Sequence, residues 1–423
     1  MSTRMINAVF PSPPARRPVL LMTLGSFTLG TDAFLVSGVL PEVGDDLGVS
    51  VGTAGLLITV FAAVYAAAGP LLAVGTGSLD RRRVLMYSLV GFVLANLLAA
   101  VAPNYPVMMV ARVLAALSAA MYMPSASSSA ATIVAPAERG RALTAILGGL
   151  TLASALGVPL GTVIANFVNW RAAFVFVAAL SLVALIGLAR ALPAVPSAGV
   201  ASLAARARAA VLPGVPSILL GSLMTYAAMF GLYAYLAWFV DRTAGIDGGA
   251  LTWVYLVYGV CGVVSNFAAG WLIDHFPPQR IAVLSTTLLV PVMGLLAVLA
   301  HYGGDNTTTV VCLFALTVLW SLIGWTVNPA QQKRLVNAGG EHTQVVLSLS
   351  GSAVYAGQAL GSLAGGLVLG RGAFALGLTG LGLQVLTLAV MGLSLRGGRG
   401  RKAAPAEAAG VPERAASASE PTG

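Results

Sequence analysis

Residues 19–40 read VLLMTLGSFTLGTDAFLVSGVL, an apolar run whose single charge is Asp32. As a helix it would extend about 33 Å at 1.5 Å per residue, enough to cross a hydrocarbon core of roughly 30 Å. Similar runs follow along the chain, at about 53–75, 84–102, 107–134, 143–165 and 172–190, then 216–240, 250–273, 281–301, 308–328, 343–369 and 373–395. The composition agrees, with 58% hydrophobic residues and only 9% charged, against about 25% charged in soluble domains. Mean hydropathy is +0.89. Hydrocarbon offers no water to open backbone groups, so such runs must be helices. The expected fold is an all-α integral membrane protein of twelve transmembrane helices.

The preceding stretch MSTRMINAVFPSPPARRP is polar and Pro-rich, and no small-residue cleavage site follows the first run, which reads as an uncleaved span. The longest interior segment without a span is LPAVPSAGVASLAARARAAVLPGVP, residues 192–216. It divides the spans six and six, giving an N-terminal tail (1–18), a first six-helix bundle (19–190), a central loop (191–215), a second bundle (216–395) and a disordered tail (396–423). Within the loop, LAARARAAVL is compatible with a short amphipathic surface helix or with a flexible linker.

The net charge of +9 reports topology, not a nucleic-acid partner. Nineteen of the 23 basic residues fall in the tails and the even-numbered loops. The odd loops hold only Arg171, Arg242 and Arg371, and Arg112 lies inside a span. By the positive-inside rule both termini are cytoplasmic in a multi-pass protein of the cell membrane. Cys261 and Cys312 fall within spans, and His275, His301 and His342 lie in separate regions at loops or helix ends, so neither a disulfide framework, a metal site nor nucleophilic chemistry is indicated. A Walker-type phosphate loop is also absent, and no cofactor is expected.

The two sets of six resemble each other. ALGVPLG at 155–161 precedes WRAAF at 170–174, and ALGSLAG at 359–365 precedes GRGAF at 370–374. Two equivalent loops carry GTGSLDRRRVL (75–85) and GWLIDHFPPQR (270–280). Twelve spans, a central loop and a parallel repeat of six, with these loop motifs, resemble the major facilitator superfamily. The span 1 stretch LGTDAFLVSGVLPEVGDDLGVS (29–50) is similar to the twelve-span drug/proton antiporters, including the chloramphenicol-resistance exporters.

That resemblance implies roles. Asp80, Arg81, Arg82 and Arg83 in one loop, with Gly270, Asp274 and Arg280 in the other, correspond to a charge network that locks the cytoplasmic ends when the transporter faces outward; topogenic charge alone is the competing reading. GLTLASALGVPLG at 149–161 resembles the glycine-proline signature of proton-coupled exporters, with Gly149, Gly157, Pro159 and Gly161 permitting close packing and flexing. Here Val158 separates Gly157 from Pro159, where the signature joins Gly to Pro directly.

Asp32 and Arg112 are the two ionisable side chains placed well within the spans. Counted from the outer ends of spans 1 and 4, they lie about 12 Å and about 9 Å deep. They have opposite sign, similar depth, and helices that border one cavity in the family. Either they form a structural pair orienting two helices, or they couple proton movement to transport. Burial and a neighbouring arginine act on a carboxylate in opposite senses, so a small change in access can load or release its proton.

A substrate wall is expected from Tyr226, Met229, Phe230 and Tyr233 at helical spacing on span 7, from Trp320, Gly324 and Asn328 on span 10, and from Met123 on the Arg112 stripe of span 4. Packing or lipid contact would give the same stripes. The expected function is proton-coupled export of amphipathic or apolar small molecules by a monomer in the lipid bilayer, with sugar or metabolite transport as the alternative. One proton descending about 100 mV supplies roughly 2.3 kcal/mol, about a 50-fold gradient of neutral solute.

Overall fold

The computed structural model describes residues 13–197 and 202–399. Apolar stretches form the helices, and polar residues between them mark the starts. α1 (Pro13–Gly38) is followed by the short α2 (Leu40–Asp46), then α3 (Val51–Gly75), α4 (Arg81–Ala100) and α5 (Tyr105–Ile133). Ser50, Asp80 and Asn104 cap α3, α4 and α5 by accepting from backbone N–H groups that the first helical turn leaves unpaired. Span 5 comprises α6 (Arg139–Leu152), a π-helical turn at Ala153–Gly157, and α7 (Val158–Phe167). α8 (Trp170–Ala191), capped by Asn169, ends the first set.

The connecting segment contains α9 (Leu203–Ala210), capped by Ser202, so LAARARAA is helical. Span 7 is broken into α10 (Val215–Tyr233) and α11 (Leu236–Ala244). α12 (Gly248–His275) and α13 (Pro278–Tyr302) follow, then α14 (Thr307–Gly324), α15 (Val327–Gly339), α16 (Thr343–Val368) and α17 (Ala373–Arg399).

Eleven stretches among the described residues are long and apolar enough to cross a membrane. One of them, Thr307–Arg371, has 65 residues, about 98 Å of helix and far more than one crossing. It folds back, with α15 packed on α16, and counts as two spans. The chain is therefore an all-helical, multi-pass membrane protein. Two ends differ from the simplest reading. α1 begins at Pro13, since Pro is tolerated in a first helical turn, and α17 runs to Arg399, past the start expected for a disordered tail. Residues 1–12 and 400–423, where the rest of both expected tails falls, lie outside the described residues.

Close contact between helices is set by glycine. A Cβ added at Gly157 would stand 2.3 Å from Thr31 Oγ1, and one at Gly161 would stand 2.0 Å from Leu35 Cδ1, so α7 and its π turn lie directly on α1. The same register recurs 204 residues on. A Cβ at Gly361 would meet the Ala227 carbonyl at 2.2 Å, and one at Gly365 the Gly231 carbonyl at 2.4 Å, which seats α16 on α10. Span 5 on span 1 and span 11 on span 7 are thus equivalent pairs.

Two seams join the sets. α3 packs along α16, and α12 packs on α7 and the π turn. Toward the end opposite the basic loops, Thr59 and Ser362 hydroxyls pair at 2.8 Å, Thr162 and Thr252 at 3.1 Å, and Tyr255 donates to the Ser37 carbonyl at 2.9 Å. Toward the basic end the helices part around a cavity of about 200 Å³ between α3, α5, α9 and α16.

Candidate functional site

Asp32 and Arg112 meet. Nη1 of Arg112 lies 2.9 Å from both carboxylate oxygens of Asp32, and the two side chains are 1% and 0% exposed. The guanidinium carbon sits 4.5 Å from the centroid of the Phe61 ring on α3, a cation–π contact that covers the pair from a third helix. One nitrogen does all the pairing. Nε and Nη2 of Arg112 are buried with no hydrogen-bond partner among the described residues. A fork able to hold a carboxylate with two parallel bonds is engaged through one corner.

The equivalent glycine registers make the site one-sided. Gly157 over Thr31 matches Gly361 over Ala227, so Ala228 occupies in the second half the place Asp32 has in the first. The charge is a local addition to a repeated frame.

The aromatic stripe on α10 does not stand alone. Phe230 packs on Tyr226 at 6.5 Å and on Tyr233 at 5.4 Å, and Tyr233 meets Trp320 of α14 edge-on at 6.4 Å. Phe34, two residues from Asp32, reaches across to Phe230, Tyr233 and Trp325 with centroids 5.9–6.5 Å apart. Tyr255 and Tyr258 of α12 complete the cluster, at 5.8 Å and 5.0 Å from Tyr233. In this conformer the rings of Tyr226, Phe230, Tyr233 and Trp320, with Met229, are buried against their neighbours, so a solute reaches them only when helices part. The Tyr258 hydroxyl and the Trp325 indole N–H face each other within the buried cluster.

Phe34, Tyr255, Tyr258 and Trp325 escaped the sequence reading. Tyr255 and Tyr258 share one face of α12 at i, i+3 spacing, a signal the sequence held, whereas Phe34 and Trp325 belong to no such stripe. Asn328 is not on one continuous helix with Trp320, because the helix breaks after Gly324 and Asn328 lies in α15. Met123 turns instead toward α1, where the Ser26 hydroxyl lies 3.5 Å from its sulfur.

The loop residues are arranged differently from a cross-half lock. Asp80 caps α4, accepting from the backbone N–H groups of Arg82 and Arg83. Arg82 donates to the Ala189 carbonyl within the same half, and Arg81 donates to the Gly77 carbonyl. No ion pair among the described residues joins Asp80 or Asp274 to a basic partner. Gly270 faces open space, Asp274 lies in the last turn of α12, and Arg280 lies in the first turn of α13. In span 5, Gly149 joins Gly157 and Gly161 against α1, while the π turn ends at Gly157, two residues before Pro159, whose missing N–H leaves the local ladder incomplete.

Comparison with known proteins accords with this architecture. Residues 22–362 match the family model described as Major Facilitator Superfamily. The chain is 30% identical over 355 residues to the uncharacterized MFS-type transporter YbcL of Bacillus subtilis (strain 168), covering 82% of this chain and 88% of that protein. It is 33% identical over 297 residues to a chloramphenicol resistance protein of Streptomyces lividans, covering 66% and 73%. Among solved structures, a bacterial homolog of the human lysosomal transporter Spinster superposes with a TM-score of 0.73 at 19% identity, covering 91% of this chain and 98% of the other.

Proposed function

Because the chain belongs to the major facilitator superfamily, a family of secondary transporters and not of enzymes, we propose that it exports amphipathic or apolar small molecules in exchange for protons. The observation that carries this reading is the buried Asp32–Arg112 pair beside the aromatic cluster. Breaking a buried pair by neutralising one member leaves the other charge uncompensated, a penalty of about 3–5 kcal/mol. Protonating Asp32 has the same electrostatic effect on Arg112. The energy of that event is comparable to what is needed to bias a two-state equilibrium between access to one side and access to the other.

In this reading the basic loops face the cytoplasm of a cell-membrane protein and the structure represents the inward-facing conformer, its outer seams closed. Asp80 and Asp274 engage across the halves only in the outward-facing state, and the two six-helix bundles rock about the span 5–span 8 and span 2–span 11 seams. Phe34 links the coupling pair to the substrate wall. Aromatic rings and Met229 suit planar, apolar solutes of varied shape, and offer little to the many hydroxyls of a sugar, which is the competing substrate class. The chloramphenicol resistance relative makes chloramphenicol the first compound to try. A susceptibility panel in a pump-deficient bacterial host tests the reading: expression should raise the inhibitory concentration of some apolar aromatic drugs, and an unchanged panel would count against drug export.

A further inference from the structure

The cavity of about 200 Å³ at the basic end has chemistry of its own. Arg81 and Arg206 reach it from α4 and α9, and Thr76, Ser128, Gln344 and Ser348 supply hydroxyls and an amide from α3, α5 and α16. None of the described residues lining it is acidic. Arg81 is only 6% exposed, and its Nε is buried without a hydrogen-bond partner. Its other recorded side-chain bond is to a neutral carbonyl, that of Gly77 at 3.3 Å. Arg206 donates to the Ser348 hydroxyl at 2.8 Å, which joins the connecting helix to the second half.

A guanidinium withdrawn from water without a counter-ion is unfavourable by several kcal/mol. Among the described residues no carboxylate forms an ion pair with Arg81. Two arginines and the Gln344 amide present N–H donors, with Ser128 beside them, while the Thr76 and Ser348 hydroxyls already donate to the Leu72 and Val345 carbonyls; N–H donors from several helices suit a tetrahedral oxyanion with acceptors on every side better than a planar, two-oxygen carboxylate. At about 30 Å³ per water, the cavity has space for several waters or one such group. We propose that this cavity is a binding site for a phosphate-class anion, held between Arg81 and Arg206 where the first half, the connecting helix and the second half meet. The phosphate arrives either as the headgroup of an anionic lipid from the adjoining leaflet or as a free solute. Bound there, it bridges both halves and holds this conformer.

The test uses the purified full-length chain in a neutral detergent. Binding of inorganic phosphate and of short-chain phosphatidylglycerol is measured by calorimetry, with the thermal unfolding midpoint as a second readout. Saturable binding of both probes identifies a phosphate site open to solutes, and binding of the lipid alone identifies a headgroup site. Either result requires that Arg206→Gln, which keeps an amide donor near Ser348, weaken binding about 10-fold, the scale of one hydrogen bond to a charged group. Affinity should also fall as salt rises. Arg81→Gln should do the same where it folds, and Arg206→Gln keeps the test decisive where it does not. Binding of neither probe, or equal binding by wild type and a folded Arg206→Gln, overturns the proposal.

Discussion

Gly259 lies against the backbone of Ser154: a Cβ at Gly259 would stand 2.2 Å from the Ser154 carbonyl oxygen and 2.4 Å from Ala155 Cα. The contact joins α12 to the π-helical turn of span 5, midway along one of the two seams between halves. A π turn widens the helix locally and leaves carbonyls off the regular ladder, and only a residue without a side chain fits against one.

A larger residue at position 259 should therefore wedge the halves. Overpacking of this kind is unfavourable by about 1–3 kcal/mol, so Gly259→Val is expected to shift the conformational equilibrium by roughly 10-fold or more toward an unsealed end opposite the basic loops. With Cys261 and Cys312 replaced, a cysteine at Thr252, whose hydroxyl now pairs with Thr162, reports the change. Its labelling by a membrane-impermeant thiol reagent should accelerate in the Gly259→Val background. Equal labelling rates would show that this contact does not seal the seam.

The ion pair makes a prediction about stability. Asp32→Asn leaves Arg112 charged and buried, and should destabilise the protein by about 3–5 kcal/mol. Adding Arg112→Gln removes the stranded charge, and the double variant should recover most of the loss. Thermal unfolding in detergent measures both. Additive losses in the double variant would mean that the two residues do not act as a pair.

Asp80 has two separable roles, which Ala and Asn distinguish. Asp80→Ala loses the N-cap of α4 and should be destabilised by about 1 kcal/mol. Asp80→Asn keeps a capping oxygen and loses only the charge, so its stability should be close to wild type. If the charge acts in gating, Asp80→Asn and Asp274→Asn transport more slowly while substrate affinity stays nearly unchanged. Wild-type rates in both would leave topology as the role of these charges.

Phe34 and Trp325 should matter to substrate recognition although neither belongs to an aromatic stripe. An aromatic contact contributes about 0.5–1.5 kcal/mol beyond its buried area. Phe34→Ala and Trp325→Ala should each weaken binding of a planar substrate about 2- to 10-fold in equilibrium measurements. Unchanged affinity in both would place the substrate elsewhere.

The sequence made the helices legible because hydropathy acts over whole spans: the run expected at 172–190 is the helix Trp170–Ala191, and that at 343–369 is Thr343–Val368. It also pointed to Asp32 and Arg112, since a charge in hydrocarbon stands out wherever its helix packs. Local breaks were less visible. The gap after Tyr233 occurs inside an apolar run without any Pro or charge at the break, whereas the gap after Gly324 has Pro329 beside it, which cannot donate to the Trp325 carbonyl; the π turn sits in a stretch of small residues that would equally form a regular helix. The aromatic cluster combines the α10 stripe with Phe34 of α1, Tyr255 and Tyr258 of α12, and Trp320 of α14, and assembling them requires the tertiary packing itself.

The central claim is that Asp32 carries the coupled proton, and substrate-induced proton movement in proteoliposomes tests it most directly. Wild type and Asp32→Asn are reconstituted at equal density, with a drug selected by the susceptibility panel and binding of that drug confirmed for both. Asp32→Asn keeps the side-chain volume and removes the titrating group, while Arg112→Lys keeps a charge and loses the planar fork. The account predicts that Asp32→Asn binds drug yet moves no protons, and that Arg112→Lys folds but couples poorly. If Asp32→Asn exchanges protons for drug at the wild-type ratio, the buried pair is structural and the coupling site lies elsewhere.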